Sequence, residues 1–418
     1  MPPLTSQADF NAAVAQVSQA GRQLMVAGAD AHSRLLTTMA DRLDASQDDI
    51  LEANTLDLEA SLEMAVPERV LDWLKLTPER LQTALKILRR LAALGDPRVL
   101  THQPTTYLTK AVSGYSQVVP LGVVALVYEA FPELSAIMAG LCIRTGNGLI
   151  LKGGNEASQT TQVIFQVLHQ ALDDVGLPTD CILSLTEDQG DAARLWLLQE
   201  PGIDLIIPYG RASLVQQVTR KATVPVLPTA MGNGYLYWST SGSLETVSHM
   251  VIDSHRGEPD AVNAMEKVLI HDGCSASAVT QLCHTLWDQG FEVLGDDTLL
   301  SDVPNLKPAE SSDWGRAFLT KTVALRRVND VATAASWINR HSSGHANALA
   351  TESYLESSQF TQLVESAVVY INTSPRFMRN PTQASAIALG MTAQRGRSSG
   401  FIGLHTLLTT QHVLQGVV

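Results

Sequence analysis

An α/β fold, a doubly wound sheet followed by a second αβ series, follows from three features of this 418-residue sequence. Continuous apolar runs alternate with helix-like stretches from residue 123 onward, the pattern of parallel strands buried on both faces. The first ninety-five residues carry apolar side chains at three- and four-residue spacing and no strand signal. A segment that alternates apolar and polar residues, 108–119, and a Gly/Ser/Thr-rich tail ending in residues 407–418 lie outside this pattern and read as exposed strands.

The elements follow in order. Residues 8–95 read as helices, with Leu35, Leu36, Met39 and Leu43, and later Leu81, Leu85, Leu88 and Leu91, forming apolar stripes. Asp44-Ala-Ser-Gln and Thr77-Pro-Glu-Arg are helix starts, the second with a Thr cap and Pro at the first helical position. Pro120 and Gly122 punctuate the exposed strands. Val123-Val-Ala-Leu-Val127, Gly148-Leu-Ile-Leu151, Cys181-Ile-Leu-Ser-Leu185, Asp204-Leu-Ile-Ile-Pro208 and Val224-Pro-Val-Leu227 are the expected strands of the first sheet, with helices over 134–145 and 158–175 between them. A second αβ series takes in a helix after Gly242, a tight entry at Pro259-Asp260 leading through a short helical turn to a Val268-Leu-Ile270 strand, a helix over 276–289, the run at Val323, a helix over 328–341 and a strand over 367–371.

Composition narrows the functional classes. A formal net charge of −13 argues against nucleic acid or an anionic membrane surface as the main partner. No run of eighteen apolar residues occurs, and the first thirty residues have no signal-like apolar stretch, so a cytoplasmic location is expected. Cys142, Cys181, Cys274 and Cys283 form no CxxC pair and no metal-site spacing, which predicts buried free thiols and no metal.

Several turns carry candidate chemistry. Lys152-Gly153-Gly154 follows a strand and precedes a helix, so its glycines let backbone approach a phosphate or ribose while Lys152 supplies a charge; many αβ turns have this form without a ligand. Arg211, in Tyr209-Gly210-Arg211, stands at a helix start where it meets either an anion or solvent. His271 and His345 are isolated histidines without an acidic or thiol partner at useful spacing, and a satisfied structural role competes with a functional one.

Together, Glu52-Ala-Asn-Thr-Leu-Asp57, Val119-Pro-Leu-Gly-Val-Val-Ala-Leu-Val-Tyr-Glu129, Ala139-Gly-Leu-Cys-Ile-Arg-Thr-Gly-Asn147, Asp204-Leu-Ile-Ile-Pro208, Asn263-Ala-Met-Glu266 and Ala367-Val-Val-Tyr-Ile-Asn372 resemble γ-glutamyl phosphate reductase, a branch of the aldehyde dehydrogenase superfamily, over residues 20–410. The resemblance implies an aldehyde dehydrogenase-like fold: an NADP(H)-binding domain over 1–107 and 122–246, a catalytic domain over 247–386, oligomerisation strands at 108–121 and 403–418, and a return segment at 387–402. It also implies NADPH-dependent reduction of glutamyl 5-phosphate through a cysteine thioester, as a step of proline synthesis, in a homo-oligomer.

Residue by residue, the resemblance places the nucleophilic cysteine at Val262, with Asn263 beside the reacting carbon. The oxyanion asparagine falls at Glu133 and a substrate arginine at Phe131, with His345 and Arg376 as further substrate contacts. Lys152, Gly153, Gly154, Tyr209, Gly210 and Arg211 fall at the cofactor, Lys152 at its ribose. A family histidine is replaced by Thr229, a glycine-rich segment by Gln383-Ala-Ser-Ala-Ile-Ala388, and a later histidine and arginine by Arg397 and Ser399. Valine has no lone pair, so two readings stand: a reductase with another source of its nucleophile, or a paralogue without chemistry that serves as a nucleotide-binding, regulatory or hetero-oligomerising partner of an active reductase.

Overall fold

The computed structural model describes residues 6–98, 103–109, 112–185, 190–257, 260–394 and 399–416. It divides into two compact units, Met1–Thr229 with Arg379–Leu389 and Phe401–Val418, and Ala230–Met378 with Gly390–Gly400.

The first unit opens on four helices, α1 (Gln7–Ala45), α2 (Gln47–Glu63), α3 (Glu68–Leu74) and α4 (Pro78–Ala93). A capping box between Ser6 and Asp9 starts α1, which bends at Gly28, where φ is +84°. The Asp44 start is displaced: α1 runs through to Ala45 and α2 begins at Gln47 without a side-chain cap. Thr77 caps α4 as expected, accepting from the Arg80 amide at 3.3 Å, and Pro78 occupies the first turn. Leu81, Leu85, Leu88 and Leu91 are buried on the inner face of α4, each contributing about 1.5–3 kcal/mol of burial.

Strands β1 (Gln103–Thr109) and β2 (Val112–Pro120) pair antiparallel, and the tail strand, numbered β16 (Leu408–Gly416), pairs with β2 from Leu408↔Pro120 to Gly416↔Val112. The central sheet contains β3 (Val123–Tyr128), β4 (Gly148–Lys152), β5 (Ile182–Ser184) and β6 (Leu205–Tyr209), all parallel, in the order β5-β4-β3-β6. Between and after them run α5 (Leu134–Thr145), α6 (Ser158–Val175), α7 (Gly190–Gln199) and α8 (Ala212–Lys221). On β3, Val123, Ala125 and Val127 join a cluster with Phe10, Val14, Leu197 and Val218, while Val124 and Leu126, fully buried, face the other way. Both faces are covered, which is why the strand reads as a continuous apolar run.

Val224-Pro-Val-Leu227 is not a strand. It makes one isolated bridge, Ile206↔Val226, because Pro225 has no N–H with which to extend a ladder.

The second unit holds a seven-stranded sheet in the order β10-β9-β11-β8-β7-β12-β13. Its strands are β7 (Gly234–Trp238), β8 (Met265–His271), β9 (Glu292–Gly295), β10 (Lys307–Pro308), β11 (Thr322–Val328), β12 (Ala346–Ala350) and β13 (Val368–Ile371), and its helices are α9 (Leu244–Ser254), α10 (Ala276–Asp288), α11 (Asp297–Leu300), α12 (Val331–His341) and α13 (Tyr354–Leu363). Leu236, Trp238, Val268 and Ile270 enter one core cluster, Tyr235, Tyr237 and Leu269 the other. Strands β14 (Ala388–Thr392) and β15 (Gly400–Gly403) form a separate two-stranded ladder.

The two compact units divide at 229/230, and β7 pairs with β8 and β12 in the second. Residue 328 ends β11, and α12 starts only at Val331, capped by Asp330. Cys142, Cys181 and Cys283 are buried free thiols and Cys274 is half-buried. Among the described residues no helix is long and apolar enough to cross a membrane.

Candidate functional site

In the first unit the chain leaves β4 at Lys152 and turns through Gly153 and Gly154 into α6. Lys152, Gly153, Gly154, Asn155 and Glu156 line a cavity of about 480 Å³ with Glu129, Arg194 and Leu214; an adjoining one of about 210 Å³ adds Ser158, Thr161, Phe165 and Ser184. This is the carboxyl edge of a parallel sheet, where doubly wound folds hold ligands.

The start of α6, however, already holds an anion. The buried carboxylate of Asp57, on α2, accepts from the Gln159 and Thr160 amides at 3.1 and 2.8 Å and from the Thr160 hydroxyl at 2.6 Å. Burial raises the pKa of Asp57 against these bonds. The Gln159 and Thr160 amides are therefore occupied, and the cleft is faced by Lys152, the glycine backbone and the Glu156 carboxylate, one oxygen of which accepts from the Ala130 amide.

Tyr209, Gly210 and Arg211 all make internal contacts. Tyr209 is buried, its hydroxyl accepting from Arg379 at 2.5 Å. Gly210 has φ of +144°, and a Cβ there would stand 2.4 Å from the Glu129 side chain. Arg211 is paired with Glu129 through Nη2 at 3.0 Å and Nε at 3.1 Å, which raises its pKa.

Phe131 and Glu133 are also engaged internally. Phe131 is fully buried, stacked on Trp73 at 4.9 Å and edge-on to Tyr209 at 5.4 Å. It and Ala130 have φ of +42° and +53°, a conformation costing roughly 1–2 kcal/mol per non-glycine residue. The aromatic stack and the Glu156 bond to Ala130 hold it in place. Glu133 is buried in a bidentate pair with Arg80, Nη2 lying 2.7 and 2.8 Å from the two carboxylate oxygens. Arg80 also donates to the Trp73 carbonyl at 3.0 Å and to that of Lys75. Glu133 is thus an acceptor committed to a guanidinium, not a donor to a developing oxyanion.

In the second unit Asp260 leads into a single turn at Val262–Asn263, closed by the Ala264 amide on the Ala261 carbonyl at 3.0 Å, and β8 follows directly. The Val262 side chain is buried, and its carbonyl accepts from the Gly232 amide and from His345 Nε2, both at 2.8 Å. That acceptor requires the proton on Nε2, leaving Nδ1 for the Ser343 hydroxyl at 2.9 Å. Burial pushes the His345 pKa down to about 4. Fully enclosed, His345 fixes the turn.

Asn263 is fully buried; its amide donates to the Pro375 carbonyl at 2.9 Å and to the Tyr370 hydroxyl at 3.1 Å, while Oδ1 has no protein partner. Arg376, next to Pro375, is part-exposed and lies 3.8 Å from Asp253, a carboxylate it shares with Arg256.

Two buried charges behind this turn escaped the sequence reading. Glu266, within β8, accepts from the amides of Asn233, Phe318 and Leu319 at 2.7–2.8 Å and from Lys267 at 3.1 Å. Lys267 sits 3.7 Å over the Phe318 ring, and burial lowers its pKa to about 8. The signal was a Glu-Lys pair inside an apolar strand.

Cys274 lies past the far end of β8, near the Trp238 and Ser239 carbonyls. A seven-residue strand at about 3.3 Å per residue puts roughly 20 Å between that thiol and the Val262 turn, and burial raises its pKa.

The His345 geometry gives a pH prediction. With a folded pKa of about 4 against the ordinary 6.5, the unfolded chain takes up a proton that the folded one refuses. Stability is therefore complete above pH 6.5 and falls as pH drops towards 4. Urea unfolding should show a loss of about 2 kcal/mol from this group between about pH 7 and pH 5, and His345→Gln should remove that part of the slope; an unchanged slope would contradict the neutral assignment.

A sequence profile of the aldehyde dehydrogenase family matches residues 2–234. Gamma-glutamyl phosphate reductase 2 of Synechocystis is 45% identical over 392 residues, 93% of each chain. The chain belongs to the γ-glutamyl phosphate reductase family. A further family member, the reductase of Gloeobacter violaceus, is 35% identical over 92% of this chain and 91% of its own. The crystal structure of γ-glutamyl phosphate reductase from Thermotoga maritima superposes with a TM-score of 0.89 at 27% identity, covering 97% of this chain and 98% of that one. The aldehyde dehydrogenase-like α/β fold expected from the sequence is thereby shown.

Against the family expectation, the structure gathers Lys152, Gly153 and Gly154 on one cleft and Val262, Asn263 and His345 on one turn. It commits Glu133, Phe131, Tyr209 and Arg211 to internal contacts. Arg397 lies outside the described residues, and Thr229 donates to the Pro208 carbonyl at 2.7 Å.

Proposed function

We propose that this chain is a γ-glutamyl phosphate reductase homologue that retains nucleotide binding but not thioester chemistry, and that it acts as a nucleotide-binding, regulatory or hetero-oligomerising partner of an active reductase in the cytoplasm. The observation that carries this reading is the Val262 turn: a buried hydrocarbon side chain stands where the family resemblance places the sulfur, and the nearest thiol in sequence is a strand's length away. The internal engagement of Glu133 and Phe131 supports it, because acyl transfer needs donors aimed at the oxyanion as well as a nucleophile.

NADP(H) fits the cleft at the end of β4. Lys152 would hold a ribose or its phosphate, Glu156 would accept from ribose hydroxyls, and Gly153 and Gly154 leave room for backbone approach; the bound nucleotide would supply or accept hydride. Isothermal titration should show saturable NADPH binding, weakened roughly tenfold or more in Lys152→Ala, the scale of one charge-assisted hydrogen bond. Absence of heat with NADPH would remove the nucleotide part of the proposal.

The second reading, NADPH-dependent reduction of glutamyl 5-phosphate to glutamate 5-semialdehyde in proline synthesis by a homo-oligomer, is favoured by the 45% identity to a named reductase over nearly the whole chain. It requires a nucleophile other than residue 262.

A further inference from the structure

A further cavity of the first unit, about 670 Å³, shares no described lining residue with the cleft at β4. It is lined by Met25 of α1, by Arg98, by Val118, Val119 and Pro120 of β2, and by the cross-strand pair Gln117 and Gln411. That size suits a small molecule. The charge behind it does not balance. Arg98 spends Nε and Nη2 on the Asp96 carboxylate, at 2.9 and 2.7 Å, and donates from Nη1 to the Met25 carbonyl at 3.1 Å. Two of its five N–H groups remain, and the side chain is 19% exposed. Arg144, fully buried, has only neutral acceptors: the Ala29 carbonyl at 3.3 Å, the Ser33 hydroxyl at 3.1 Å and the Leu94 carbonyl. Its Nε has no partner among the described residues. Asp96 is the one described carboxylate acting on Arg144, and Arg98 acts against it. His32, whose pKa is lowered by burial, donates from Nε2 to the Leu24 carbonyl at 2.7 Å and adds no charge. Two guanidiniums therefore share one carboxylate, where burial makes an unoffset charge costly.

We infer that this cavity binds a small organic anion, a carboxylate carrying an apolar chain. The anionic group takes the two remaining Arg98 N–H groups and an amide N–H of Gln411, and the chain lies on Val118, Val119 and Pro120. A guanidinium bonds a carboxylate more strongly than it bonds a neutral oxygen. Gln117 Nε2 donates to Gln411 Oε1 at 2.6 Å, which engages the Gln411 oxygen and leaves its N–H groups for an incoming acceptor. The added charge would make two anions for the two guanidiniums. The inference stands apart from the nucleotide reading, since the two cavities have no described residue in common. The competing role for both arginines is to hold the carbonyls on either side of the α1 break at Gly28, and in that case no anion binds.

The test is an NMR titration of the full chain with octanoate and with octanol at fixed salt, for the wild type, Arg98→Gln, Asp96→Asn and Val119→Asp, each checked by thermal melting. The wild type should saturate with octanoate at about 1 mM or below and bind octanol about tenfold more weakly or worse. Arg98→Gln should lose about tenfold or more for octanoate and less than about threefold for octanol. Asp96→Asn should tighten octanoate by about threefold or more, because it removes the competing carboxylate and returns the Arg98 fork to the ligand. Val119→Asp leaves the Arg98–Asp96 pair in place and sets a like charge on the wall, so it should weaken octanoate even if Arg98→Gln does not fold. No saturable octanoate binding by the wild type, equal binding of the two compounds, or unchanged octanoate affinity in either folded variant, Arg98→Gln or Val119→Asp, overturns the inference.

Discussion

Val262→Cys, tested with glutamate 5-semialdehyde, phosphate and NADP, should leave NADPH formation at background. Loss of a nucleophile costs about 10⁶ in turnover in serine proteases, so a thiol at 262 restores the largest single element. It does not restore the others. An oxyanion donor is worth about 10² to 10³, and the position expected to carry one holds Glu133, a carboxylate whose oxygens are engaged by Arg80. The expected substrate arginine is Phe131, locked between Trp73 and Tyr209. A new thiol would also lie where the present side chain is 1% exposed. Burial pushes the enclosed thiols of Cys181 and Cys283 up to about 12, and a thiol is a weak nucleophile until ionised. Recovery of turnover on the usual scale of about 1 to 10³ per second by this one change would show that Glu133 and Phe131 are no obstacle.

The second large effect is on stability. Arg80→Met should destabilise the first unit by about 3–5 kcal/mol, because it leaves the Glu133 carboxylate buried without its partner. It also strips the donors from the Trp73 and Lys75 carbonyls. Replacing both partners, Arg80→Met with Glu133→Leu, should recover most of the loss, since two apolar groups leave no orphaned charge. Glu133→Asn alone should fall between wild type and Arg80→Met, because Arg80 then keeps only its carbonyl acceptors. Urea midpoints at constant slope report these differences. An Arg80→Met variant within about 1 kcal/mol of wild type would mean that the pair is far more hydrated than its 8% and 5% side-chain exposures indicate.

What the sequence discloses of the fold divides along a physical line. Local signals were legible: Thr77-Pro78 starts α4 where capping chemistry places it, and Val123–Tyr128 and Gly148–Lys152 read as buried parallel strands because both faces are covered. Pairing was not. Gly234–Trp238 looks like any apolar strand, and only its register with Met265–Ile270 assigns it to the second sheet. Val224–Leu227 has the right composition, but Pro225 withholds the donor that a ladder needs.

The site shows the same division. Lys152-Gly153-Gly154 lines a cleft, as its place after a strand suggests. Glu133 gives no sign of its partner Arg80, which lies 53 residues earlier, and nothing local links them. Asp57 meets α6 across more than a hundred residues. Glu266 serves amides 33, 52 and 53 residues distant. Long-range satisfaction of buried charges decides which polar residues remain free for a ligand, and it is the part that spacing along a chain does not carry.

The most direct measurement is the reverse reaction of the unaltered protein, NADPH absorbance followed after mixing with glutamate 5-semialdehyde, phosphate and NADP. The expected trace is indistinguishable from the protein-free control, even at protein concentrations where a reductase turning over at about 10 per second would exhaust the substrate. NADPH appearing at such a rate, and abolished by omitting phosphate, would contradict it.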